Sequence, residues 1–64
     1  MIINEQQVWI DNIESLTSSI LTQLDPAVIE SVYERHGAHG PYKLSVNELM
    51  DVYNELHAIE ADSK

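Results

Sequence analysis

Leu44-Ser45-Val46-Asn47-Glu48-Leu49-Met50-Asp51-Val52-Tyr53-Asn54-Glu55-Leu56 decides the fold, because this stretch both starts a helix and marks the side it buries. Ser45 is suited to the N-cap, and Glu48 three residues on completes a capping box: the serine oxygen takes the Glu48 N–H while the glutamate reaches back to the Ser45 N–H. Leu44 before the cap and Leu49 after it form a hydrophobic staple that sets the angle of entry. Val46, Leu49, Tyr53, Leu56 and Glu60 then recur at spacings of 3 or 4, flanked by Met50 and Val52, which predicts a helix over 46–60 with one apolar face. Glu48, Asp51, Glu55 and Asp62 are expected down the opposite, wet face.

Working back from this helix, residues 37–44 hold both glycines and the second proline, and read as the one real loop. Before it, Leu24-Asp25-Pro26 is a stop and a restart, since proline disfavours helical geometry in the residue ahead of it and suits the first position of a new helix. A helix over 26–36 follows, capped by Asp25, apolar at Val28, Ile29, Val32 and Tyr33, with Arg35 near its negative end and Gly37 as its terminator. The first helix is expected over 5–24. Asn4 with Gln7 offers a weaker capping box there, and Ile3 with Val8 a second staple. Its apolar face runs through Trp9, Ile10, Ile13, Leu16, Ile20, Leu21 and Leu24, while Asp11, Glu14, Ser15, Ser18 and Thr22 face away.

The expected core is Trp9, Ile13, Leu16, Ile20, Leu24, Val28, Ile29, Val32, Tyr33, Leu49, Tyr53 and Leu56. The fold class is all-α: a small three-helix bundle, or a helical hairpin plus a short helix completed by oligomerisation. The first helix carries more apolar face than two short neighbours are expected to cover, so self-association is an expectation too.

Sixty-four residues make one domain, 1–64, with a frayed polar tail at 61–64. A domain this short buries only about 60% of the surface its unfolded chain exposes, and such a core supplies roughly 3–5 kcal/mol. No cysteine is present to brace it, which fits a reducing compartment. No Lys or Arg precedes Arg35, so an export leader is not expected, and no apolar run reaches the length of a membrane span. Eleven acidic residues against three basic ones give a formal charge of −8, which opposes direct nucleic-acid binding and favours encounter with a basic partner.

The candidate chemistry is sparse. His36 and His39 are separated by two residues, with His57 elsewhere, but no cysteine and no second closely spaced pair joins them, so no metal is expected; His36 is read as a partly buried helix end and His39 as exposed. No serine sits in a strand-to-helix elbow beside a base and an acid. Carboxylate pairs such as Glu30 with Glu34, or Asp51 with Glu55, are expected to stay ionised on solvated helix faces. The expectation is therefore no enzyme and no cofactor. The functional candidates are the acidic stripe Glu48, Asp51, Glu55 and Asp62, which reads either as a solvated face or as a dock for a basic partner, and the loop pair Tyr42 and His39. Tyr42 is expected as a lid over the second and third helices, or as a contact point with His39 if it is exposed.

Leu24-Asp25-Pro26 leading into Ser31-Val32-Tyr33-Glu34-Arg35-His36-Gly37, and then Leu44-Ser45 before Asp51-Val52-Tyr53-Asn54-Glu55-Leu56, resembles small uncharacterised helical proteins encoded in phages and prophages of Gram-positive bacteria. The resemblance covers roughly the last forty residues and brings no catalytic residue with it. It implies an accessory protein of a mobile element, acting in the bacterial cytoplasm through a partner. The combined expectation is a small acidic non-enzymatic protein-interaction module, with a homo-oligomeric assembly protein as the alternative.

Overall fold

The first helix opens on Asn4, whose side chain accepts from the Gln7 backbone N–H at 3.2 Å. The computed structural model describes residues 4–62, so the staple partner Ile3 lies outside the described residues. The cap is one-sided, because the Gln7 side chain donates forward to Asp11 at 2.9 Å instead of reaching back. Helix α1 spans Glu5–Leu21 rather than 5–24. Its early end has a physical cause at Asp25, which must be extended ahead of Pro26 and has φ −70 and ψ 142. The residues between tighten into a turn in which Gln23 and Leu24 N–H both bond the Ile20 carbonyl, at 2.9 and 2.8 Å. The Thr22 hydroxyl also donates to the Ser19 carbonyl at 2.7 Å, a local alternative to continued helix.

Helix α2 spans Pro26–Arg35, with the Asp25 side chain accepting from the Ala27 N–H at 2.9 Å. His36 is its C-cap rather than its last helical residue. Gly37 follows at φ 70, in the left-handed region that glycine enters without steric cost. The Ala38 N–H then bonds the Tyr33 carbonyl at 3.0 Å, which the His36 N–H also bonds at 3.0 Å, and the Gly37 N–H bonds that of Glu34 at 2.9 Å, so carbonyls of the last turn are satisfied.

After a 3-10 turn at Pro41–Lys43, helix α3 spans Val46–Asp62, two residues beyond the expected 46–60. Ala61 and Asp62, expected in a frayed tail, are thus helical, while 63–64 lie outside the described residues. The Ser45 oxygen accepts from the Glu48 N–H at 3.4 Å. The return arm of the box differs from expectation, since the Glu48 carboxylate faces the Ser45 hydroxyl at 3.5 Å. Leu44 and Leu49 are both buried, as a staple requires.

The protein is all-helical, with three helices, one 3-10 turn and no strand among the described residues. Helices α1 and α3 form the main seam, and α2 packs on α3. Ile10, Ile13 and Ile20 meet Ile29, Val32 and Tyr33 from α2 and Leu49, Val52 and Leu56 from α3, with Leu44 closing one end. Trp9, Leu16, Leu24 and Tyr53, expected in the core, are half-buried at its border, and Val28 is half-buried as well. Ile10, Leu44 and Val52 are the buried residues absent from the expected core. The cause lies in α3, which must serve two neighbours. Its contact face turns until Val52 is fully enclosed and Tyr53 reaches the edge, where its ring meets Trp9 edge-on at 5.6 Å and stacks on His57 at 6.2 Å. Among the described residues no helix is long and apolar enough to cross a membrane.

Candidate functional site

The loop after α2 owes its place to α1. Gln6, in the first turn of α1, donates through Nε2 to the Leu44 carbonyl at 3.0 Å and to that of Tyr42 at 3.4 Å. Two turns further along α1, Glu14 accepts from the Tyr42 hydroxyl at 2.9 Å. These bonds hold the loop as one wall of an open groove of about 860 Å³, whose other walls are α1 and the end of α2, with Glu48 of α3 at one corner. Glu14, Tyr33, Tyr42 and Glu48 all line it. Tyr42 is 69% exposed and bonds to α1, so it is not a lid over α2 and α3. The Tyr42 side chain is long enough to cross to α1, and Gln6 anchors its backbone on the same side.

Tyr33 is 6% exposed and forms part of the groove wall. Burial pushes its pKa above the ordinary 10.0, and the Glu14 carboxylate and the Tyr42 phenol push in the same direction. The Tyr42 pKa is also raised, first by the hydrogen bond to Glu14 and then by the Glu14 charge. For Tyr33 the neutral form is thus the one the fold favours. The stability this contributes is complete below pH 10.0 and is lost as pH rises from there through the folded-state value. Tyr33→Phe, which keeps the buried ring, is expected to flatten this alkaline decline. Urea midpoints taken from neutral pH to above pH 10.0 check it; wild type and variant declining in parallel would refute it.

The structure divides the acidic stripe. Asp51 and Asp62 are exposed on α3. Glu48 is half-buried, occupied by the Ser45 cap and the groove corner. Glu55, expected to face water, instead clamps α3 to the end of α2: its Oε1 lies 3.0 Å from Arg35 Nη2 and its Oε2 2.7 Å from His36 Nε2. The basic pair at the end of α2 draws in the acid that the helical repeat sets opposite it. His39 is exposed at the groove rim, on the same loop as Tyr42. His36 is half-buried at the helix end, as its sequence position suggested.

Sequence reasoning missed the groove, whose lining residues 14, 33, 42 and 48 are far apart in the chain and share no motif. The available signal was modest: a tyrosine following proline in the loop at 37–44, and Arg35-His36 with no acid near them in sequence except Glu34. Among the described residues no three His, Asp or Glu side chains gather as metal ligands would. The groove brings two tyrosines and two carboxylates together with Lys43, His36 and His39 around an open space. No protein-family model, curated protein or solved structure matches this chain.

Proposed function

We propose that the protein is a non-enzymatic interaction module that binds a basic protein partner through its acidic surface. The observation that carries this reading is the combination of exposed Asp51 and Asp62 on α3 with a groove bordered by Glu14 and Glu48, in a chain of formal charge −8. Carboxylates that face solvent attract a basic surface over the screening length and speed its encounter. The resemblance of 24–37 and 44–56 to small phage-encoded proteins supports a role as an accessory protein of a mobile element in the bacterial cytoplasm. A second reading, assembly with its own copies, draws on Val8, Leu21 and Met50, which are exposed although apolar.

The discriminating variant is Asp51→Lys with Asp62→Lys, because both side chains are exposed and neither belongs to the Glu55 clamp or the Ser45 cap. Affinity for the partner captured from the host is expected to fall about tenfold or more, mainly through slower association. The wild-type complex should itself weaken as salt rises from about 0.1 M to about 1 M, where the screening length shrinks from about 10 Å to about 3 Å. Surface plasmon resonance across that range reads both. Unchanged affinity and salt dependence in the double variant would overturn the reading, and sedimentation well above 7.3 kDa without a partner would favour self-assembly.

A further inference from the structure

We propose that the groove between α1, the end of α2 and the loop is an arginine pocket, receiving one guanidinium of a basic peptide segment between the Tyr33 hydroxyl, the Tyr42 ring and the Glu14 carboxylate. The inference rests on the reading of a basic partner and deepens it by naming the side chain and its seat.

Three observations converge here. Tyr33 lines the groove and its hydroxyl makes no hydrogen bond among the described residues, while that oxygen is not sealed off from the surface. A phenol oxygen that reaches the groove with no partner in the chain is free to accept from an arriving donor. Glu14 has no ion pair among the described residues; its Oε1 takes the Tyr42 hydroxyl and Oε2 remains available. The Tyr42 ring is pinned by that same bond while staying largely in water, as a stacking surface must be.

Arginine suits this set better than lysine. A guanidinium carries five donors in one plane and no acceptor, so it can donate to the Tyr33 oxygen and to Glu14 together while its face lies against the Tyr42 ring. The charge balance also favours a cation. Glu14 and Glu48 stand against Lys43 on the exposed rim, and the His36 Nε2 is turned to Glu55. His39 is exposed at the far wall.

The test is a titration of the full, isotope-labelled chain with a glycine peptide carrying one central arginine, alongside the same peptide with citrulline in its place. The arginine peptide is expected to shift the amides of Gly37, Gly40 and Glu14 saturably, and the citrulline peptide to leave them unmoved. Glu14→Gln is expected to weaken binding about tenfold, and Tyr33→Phe by about fivefold, with the helical spectrum retained in both. Equal binding of the two peptides, shifts confined to other surfaces, or unchanged affinity in Glu14→Gln would overturn the pocket. The captured partner separates the two readings. Its undiminished binding to Glu14→Gln and Tyr33→Phe, with loss in Asp51→Lys/Asp62→Lys, removes the pocket and leaves the acidic module standing. Loss of binding in the first two variants supports the pocket directly.

Discussion

Leu49→Ala is expected to leave the chain largely unfolded at room temperature. Leu49 has no exposed surface and sits where α1, α2 and the Leu44 staple converge on α3. Truncating a fully enclosed leucine costs about 2–5 kcal/mol, the lost transfer energy plus the cavity left behind. A core of this size has only roughly 3–5 kcal/mol to lose. The variant should therefore show a far-ultraviolet circular dichroism spectrum of mostly disordered chain. As a control, Met50→Ala, one residue along on the exposed side, should change stability by less than about 0.5 kcal/mol. A cooperative Leu49→Ala transition near the wild-type midpoint would mean that the core is not where these contacts put it.

Glu55→Lys is expected to have the next largest effect, about 1–3 kcal/mol, read as a lowered urea midpoint. The carboxylate joins two groups at the end of α2, and they do not weigh equally. Arg35 is mostly in water, so its ion pair contributes little, on the order of 0–1 kcal/mol. His36 is 18% exposed at its side chain and 2.7 Å from Glu55 Oε2, so that contact carries more. A lysine there removes both contacts and sets a second cation beside Arg35, against the His36 ring. Glu55→Gln, which keeps one acceptor oxygen, should lose less than half as much. If both variants match the wild type, the clamp is only a surface coincidence and Glu55 returns to the solvated stripe.

Much of the fold was legible because its signals are local. Ser45 with Glu48, Asp25 with Pro26, and Gly37 each act on the backbone within a few residues, so the three helices and their order follow from reading along the chain. The errors arise where distant elements compete for one residue. Periodicity alone gives Tyr53 and Val52 similar claims to the core. Only the arrival of both α1 and α2 on α3 puts Val52 inside and Tyr53 against Trp9 at the border. Glu55 likewise belongs to the acid stripe by spacing, and its pairing with α2 depends on how far α3 is rotated. The groove is the least legible feature, since Glu14 and Tyr42 are 28 positions apart and Gln6, which holds the loop beside α1, is 38 positions from Leu44.

The main seam joins the first helix to the third, and that order matters while the chain is being made. Once α1 has been made, its principal partner is complete only after residues 22–62 have been synthesised. At about 5–20 residues per second that takes about 2–8 s. Closing a small helical seam takes microseconds to milliseconds. The seam cannot be completed before α3 exists, so translation sets the delay between its two halves, and the speed of folding hardly changes it.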